Sequence, residues 1–482
     1  MSYLKYCVSM MAVFQTAERM LPSALRTALS PYLHKLADLL TGHDEKSVSQ
    51  RMALIAFAIR IAGAALAFVS QIVLARLMGR FEYGVFVFVW VLMILFGNLA
   101  CLGFPTAVIR FLPQYDASGN HDAVRGLNAT ARLFVVTVSG TLALIGAALL
   151  YAFSGTIEHY YVMPIFLGLI AVPMIALGDV LDGTARAKHW PIMALSPTFL
   201  IRPTLILLFM LAAVLAGAPR DAVTAMAAAL AGAFTSVLLQ YLAVTLRLRR
   251  HYPSGAKATE FNAWLAVAFP IFLVEGVGYL LTNSDVIVVG IFLDPEEVAV
   301  YFAAAKTMAL VHFVYFAVKA AIGPRFAAII AENDRSKLAA FATEATRWTF
   351  FPALAVGLAV LAAGQFLLSL FGAAFAEGQV VMAILLAGIL IKALVGPAEV
   401  LLTMADKQML CVYLYAAAFV ANIGLNVILI PHFGIEGAAI AGAAAMAVEA
   451  LLLHLAVRHA LGITLFALIR RPAALATTNG AL

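Results

Sequence analysis

Long apolar runs separated by short polar breaks make up most of this chain. A helix needs roughly 20 apolar residues to cross the hydrocarbon core of a bilayer, and about twelve runs are of that order. Six lie at 52–78, 83–104, 131–153, 161–181, 193–217 and 222–245, and six more at 263–292, 298–322, 348–371, 379–403, 409–430 and 435–457. No run shows the two-residue alternation of a barrel strand. The pattern predicts an all-α polytopic membrane protein with about twelve transmembrane helices.

Composition narrows the solvent. Of 482 residues, 64% are hydrophobic and 12% charged, with a mean hydropathy of +0.99. Soluble domains are about 45–50% apolar, so lipid must solvate much of this surface. The net charge of +6 does not point to nucleic acid, because the basic residues gather in loops and set topology. With the amino terminus inside, 23 of the 31 Lys and Arg residues fall in inner segments. Three (Arg76, Arg80 and Arg220) fall outside and five within helices. That bias predicts cytoplasmic termini and an even number of crossings. The outer loops are short, the longest lying around Ser154–Tyr160, which leaves no room for an external catalytic domain.

The second set of runs repeats the first. Leu77 through Phe86 falls on Phe292 through Tyr301, an offset of 215 residues, and the same offset aligns Glu82 with Glu297 and Arg110-Phe111 with Arg325-Phe326. Two six-helix repeats that start and end on one side are parallel, related by an axis along the membrane normal. The expected organisation is an amino-terminal extension (1–51), a first lobe (52–245), a linker (246–262), a second lobe (263–457) and a tail (458–482). The two lobes would enclose a central cavity, and rocking them would open it to alternate sides. In the extension, Leu21, Leu25, Leu29, Leu33, Leu36 and Leu40 recur every three or four residues. That spacing suits an amphipathic helix on the membrane face, and a partly disordered tail fits it equally.

Several chemistries find no residues to carry them. Cys7, Cys101 and Cys411 are far apart, and no Cys/His cluster or HExxH pattern occurs, so neither a disulfide framework nor a metal site is expected. There is no GxSxG, no GxxxxGK[ST] and no paired Asp of glycosyltransferase type. The reading is a transporter without catalytic residues or cofactor, driven by a proton or sodium gradient or by consumption of its product.

Motifs at helix ends then carry a family likeness. Ala75 to Gly79 followed by Glu82-Tyr83-Gly84, Asp285 to Ile291 with Val300 to Lys306, Pro324-Arg325-Phe326-Ala327, and Asn422 to Asn426 with Leu429-Ile430-Pro431 and Gly434 to Ala441 occur in order. Together, over about residues 52–460, they resemble the polysaccharide-transport flippases, in the superfamily that also holds the multidrug and toxin extrusion antiporters. The extension and Ala299, where glycine is favoured, depart from the pattern. The resemblance implies a flippase of the bacterial inner membrane. It would carry an undecaprenyl-diphosphate-linked oligosaccharide from the cytoplasmic to the periplasmic leaflet, for lipopolysaccharide O-antigen, exopolysaccharide or capsule synthesis. Membrane lipids, a coupling H+ or Na+, and polysaccharide polymerase or export machinery would be its partners. It also implies a basic central cavity, with a cation-coupled multidrug antiporter of the same superfamily, or a multi-pass polysaccharide polymerase or ligase, as the alternative readings.

The charges inside the helices fit two readings. Arg60, Arg202, Lys306, Lys392 and Lys319 could line that cavity and hold a diphosphate, which needs several cations in a low-dielectric site. They could instead pair with Glu275, Asp285, Glu399 and Glu449. Glu275, Asp285 and Glu399 are also candidates for a gate or an ion-coupling site. Arg60 and Glu275 stand at equivalent repeat positions, which suggests a pair across the cleft. His312, Tyr315 and Lys319 share a helix face. Asp182 and Arg186, with Asp179 one turn earlier, read most simply as a local ion pair. Pro270, Gly276 and Gly278 suggest a bend in the seventh run, and Gly396-Pro397 one in the tenth.

Overall fold

The structure, a computed structural model, describes residues 45–468 apart from Asn333. The amphipathic segment expected at Leu21–Leu40 lies outside the described residues. Within them every regular element is helical. The first lobe holds α1 (Glu45–Met78), α2 (Arg80–Ala100), α3 (Phe104–Ala117), α4 (His121–Ala152), α5 (His159–Ala187), α6 (Pro191–Ser196), α7 (Arg202–Leu215) and α8 (Ala222–His251). A π-helical turn, Pro197–Ile201, joins α6 to α7. The second lobe holds α9 (Phe261–Phe292), α10 (Pro295–Met308), α11 (His312–Ala331), α12 (Arg335–Ala362), α13 (Gly364–Phe371), α14 (Gln379–Val395), α15 (Ala398–Met404) and α16 (Gln408–Leu461).

Eleven helical segments among the described residues are long and apolar enough to cross a membrane. The last of them, α16, is two crossings, because Gly434 takes φ 56° and ψ −137° inside its 54 residues. Twelve crossings result, in the positions the apolar runs predict. Glycine stands at the break because a side chain with a Cβ is disfavoured at positive φ. The tenth crossing is likewise interrupted at Gly396 (φ 66°), between α14 and α15. The seventh crossing is not interrupted. α9 stays one helix from Phe261 to Phe292 through Pro270, and Gly276 serves close packing, since a Cβ there would lie 3.3 Å from Leu99.

The repeat is visible in the helix starts. α2 begins at Arg80 and α10 at Pro295, 215 residues apart, and α4 and α12 begin at His121 and Arg335. Asn120 and Asp334 cap these last two, accepting from the backbone N–H of Ala123 and Lys337 at 3.0 and 2.9 Å. Such caps contribute about 1 kcal/mol each.

Packing inside the bundles relies on small residues. α8 buries Ala225, Ala228, Ala229, Gly232, Ala233 and Ser236 against α5 and α7. Large apolar side chains such as Leu133, Leu144 and Ile291 face outward. This inversion suits a lipid solvent, in which close backbone approach replaces the hydrophobic drive of water.

The lobes meet mainly along α2, which packs on α9 and α10, with α3 against α9 and α1 against α13. A Cβ on Gly84 would fall 1.7 Å from the Pro295 carbonyl oxygen, so α2 and the first turn of α10 touch backbone to backbone. On this short-loop face Arg76 donates to the carbonyls of Leu370 and Ser369, both at 2.6 Å, and Arg80 to Glu377 at 3.1 Å. On the opposite, basic face the linker is strapped to the first lobe. Arg125 donates to the Ala256 and Pro253 carbonyls at 2.9 and 3.0 Å, and Trp264 Nε1 donates to Tyr115 Oη at 2.8 Å.

Candidate functional site

Two places gather buried polar groups that helix packing alone does not require. The first is a cavity of about 430 Å³ between the first lobe and α9. Two prolines build one wall. Pro197 opens the π-helical turn and Pro203 offers no N–H to continue a regular ladder. Through this turn Thr198, Phe199 and Arg202 all reach the cavity. π-turns inside helices are frequent at functional sites. Arg202 is only 7% exposed; its Nη2 donates to Thr198 at 3.2 Å, and its Nε has no partner.

The cavity is of mixed charge rather than the basic one expected. Asp179 and Asp182 enter from α5 with Arg186, and Glu275 enters from α9. Asp182 and Arg186 form the expected ion pair. Glu275 accepts from Thr106 at 2.7 Å. The Cys101 thiol lies 3.8 Å from Asp179. The pair suggested between Arg60 and Glu275 is absent: the Arg60 guanidinium sits 5.7 Å from the Phe199 ring centroid, on an exposed side of α1. The repeat makes the two residues equivalent in position, but Glu275 turns toward α3.

The second place is in the other lobe. Asp285 accepts from Tyr301 Oη and from Asn426 Nδ2, both at 3.3 Å, and Asn426 Nδ2 also donates to the Asn422 carbonyl at 3.0 Å. Asn426 Oδ1 and Ser284 Oγ are buried without partners. Asp285 therefore belongs to a polar cluster shared by α9, α10 and α16. Gly442 leaves room for it, because a Cβ there would stand 3.2 Å from Oδ2.

The remaining intramembrane cations divide. Lys319 pairs with Glu399 at 2.6 Å, and Tyr415 donates to the same carboxylate. Lys392 pairs with Glu449 at 2.7 Å. These two lysines thus follow the ion-pair reading rather than that of free cavity cations, because each carboxylate stands on a neighbouring helix within reach. Lys306 is exposed, with its Nζ 5.0 Å from the Phe302 ring centroid and no carboxylate partner among the described residues.

Sequence reasoning passed over Asp179 as local and did not single out Ser70, Asn98 or Thr106, which line the first cavity. A Pro on either side of Arg202 was the available signal. For Ser70 there was none, since one serine in an apolar helix carries no pattern.

Twelve membrane-length helical segments among the described residues, in two lobes around polar cavities, define a multi-pass membrane protein. The family described as polysaccharide biosynthesis protein matches residues 50–330, more than half of the chain. The chain belongs to that family. The MatE family matches residues 270–428.

Solved structures agree on the fold. An inward-facing multidrug resistance MATE family transporter of the MOP superfamily superposes with a TM-score of 0.69 at 14% identity, covering 84% of this chain and 98% of its own. The lipid II flippase MurJ, in an inward closed conformation, gives 0.66 at 14% identity, covering 84% and 87%. A MOP superfamily transporter from Pyrococcus furiosus, described as having a binding pocket of reverse polarity, gives 0.59 at 15%, covering 88% and 97%. No curated protein sequence matches this chain.

Proposed function

We propose that this protein is a flippase that moves an undecaprenyl-diphosphate-linked oligosaccharide from the cytoplasmic to the periplasmic leaflet of a bacterial inner membrane, by alternating access. Its product would feed O-antigen, exopolysaccharide or capsule synthesis, alongside polymerase and export machinery. The observation that carries this reading is Lys306, a cation within a membrane-spanning segment, exposed and without a carboxylate partner among the described residues. A charge in that position is expensive unless it meets water or an anion, and a diphosphate supplies the anion. Arg60 and Arg202 are the further cations assigned to the substrate. Lys319 and Lys392, each neutralised by a glutamate, hold helices together and contact the headgroup only if their pairs open during the cycle.

Coupling is assigned to Asp285. A buried carboxylate whose neighbour Asn426 has an unpartnered Oδ1 suits a proton or a hard monovalent cation. Glu275 and Glu399 are engaged by Thr106 and Lys319 and act as gate elements. No chemical step is assigned to the chain; the sugar is moved unchanged. Both termini are placed on the cytoplasmic side by the distribution of basic residues.

A second reading, a cation-coupled multidrug antiporter, draws on the three carboxylates of the first-lobe cavity. Deletion of the protein decides between the two. The flippase reading expects the lipid-linked sugar to accumulate in the cytoplasmic leaflet and surface polysaccharide to be lost. Unchanged polysaccharide together with sensitivity to cationic drugs would replace it with the antiporter.

A further inference from the structure

The cavity between the first lobe and α9 has no place in a flippase that only holds a diphosphate. Two of its carboxylates, Asp179 and Glu275, have no cation within 4.0 Å among the described residues, and a diphosphate brought there would meet like charge. Its walls nevertheless carry unmet hydrogen-bonding capacity. Arg202, 7% exposed, has an unpartnered Nε, and Ser70, 2% exposed, has an unpartnered Oγ; both line the cavity. Buried polar atoms without partners are rare in folded proteins, and each calls for a ligand, a water or a reason.

We infer that this cavity is a saccharide subsite which takes a hydroxyl-rich sugar lacking an acid group, while the diphosphate is held by cations outside it. The inference rests on the flippase reading and deepens it. A sugar ring offers hydroxyls that accept from Arg202 Nε and Ser70 Oγ and donate to Asp179 and Glu275. Its C–H faces suit the aromatic walls formed by Trp90, Phe199 and Tyr279. Other ligand classes leave part of the site unsatisfied. A uronic acid would bring its carboxylate against two unpaired carboxylates. An apolar cation would suit those carboxylates but leave Arg202 desolvated and repelled. A volume of about 430 Å³ lies in the lower part of the usual range for small-ligand pockets, enough for a small saccharide and not for a whole repeat unit. The π-helical turn at Pro197–Ile201 fixes the geometry by turning Thr198, Phe199 and Arg202 to the same side. The Arg60 guanidinium, beside Phe199, stands where a phosphate attached to the seated sugar could be met.

The test uses the full chain in lipid nanodiscs with three probes: undecaprenyl diphosphate, its glucosyl derivative and its glucuronosyl derivative. Affinities are read by native mass spectrometry. The wild-type protein should bind the glucosyl lipid about tenfold more tightly than either of the others, in line with the modest net gain of a hydrogen bond exchanged for one to water. Equal affinity for the bare and glucosyl lipids, or a preference for the glucuronosyl lipid, would overturn the inference while leaving a lipid-diphosphate carrier standing. Binding of none of the three would overturn the flippase reading and the subsite with it. These arms need no variant, so they hold whether or not a substituted cavity folds. As a second measurement, Asp179→Asn should erase most of the glucosyl preference and leave the affinity for undecaprenyl diphosphate unchanged. A parallel loss for both lipids would assign Asp179 to structure and reject the subsite.

Discussion

Lys319 on α11 and Glu399 on α15 form an ion pair, Nζ to Oε1 2.6 Å, at the point where Gly396 interrupts the tenth crossing. Glu399 stands in the first turn of the short helix that follows the break, so the pair ties a discontinuous helix to its neighbour. Glu399→Gln leaves Lys319 without a counter-charge and should lower stability by up to about 1 kcal/mol, since Lys319 is half exposed, read as a lower melting temperature in detergent. Lys319→Glu combined with Glu399→Lys should recover most of that loss. If each single variant melts like the wild type, the pair holds nothing together.

Arg76 bridges the lobes differently, through two backbone carbonyls at the end of α13. Its planar guanidinium can serve both acceptors at once, which a single ammonium does poorly. Arg76→Ala should loosen the short-loop face, and a cysteine placed at Ser369 should then react faster with a water-soluble thiol reagent. Arg76→Lys should fall between the two. Unchanged labelling in Arg76→Ala would show that the backbone contact of Gly84 with Pro295 closes that face without help.

Lys306 tests the proposed anion contact directly. Lys306→Ala should weaken binding of undecaprenyl diphosphate about tenfold, and Lys306→Glu more, while Lys306→Arg should keep most of it. One charge-assisted hydrogen bond supplies about 1.5–3 kcal/mol, so tenfold is the lower expectation. Equal affinity in all four proteins would move the diphosphate elsewhere.

For Asp285, transport in proteoliposomes is the measurement. Asp285→Asn keeps the shape of the cluster and its contact with Asn426 but removes the charge that would bind a proton or sodium ion. The variant should still bind the lipid, yet its transport should no longer speed up under an imposed proton or sodium gradient. Transport that remains as gradient-dependent as in the wild type would exclude Asp285 from coupling.

The fold could be read from the chain because it follows from solvation. Apolar runs of bilayer length must be helices, since lipid offers no partner for an open backbone. The offset that brings Arg80 onto Pro295 also brings the starts of α4 and α12 within one residue of each other. Gly434 and Gly396 end helices for a local reason, the cost of positive φ for any side chain with a Cβ. The candidate site was legible only in part. The charged residues could be named, because a charge in a membrane helix stands out, and Asp285 was among them. Their partners could not.

The sequence by itself determined the class of protein: its number of crossings, its repeat, its charge asymmetry and the residues able to carry charge into the bilayer. All of these depend on composition and on spacing along one helix. Only the tertiary structure decided that Lys319 and Lys392 are paired, that Lys306 has no carboxylate partner among the described residues, that Glu275 turns to Thr106 instead of Arg60, and that Ser70 and Arg202 face the same cavity. Those outcomes depend on which side chains of different helices come within hydrogen-bond distance. Such distances are fixed by rotation and tilt in packing, to which a run of apolar letters is indifferent.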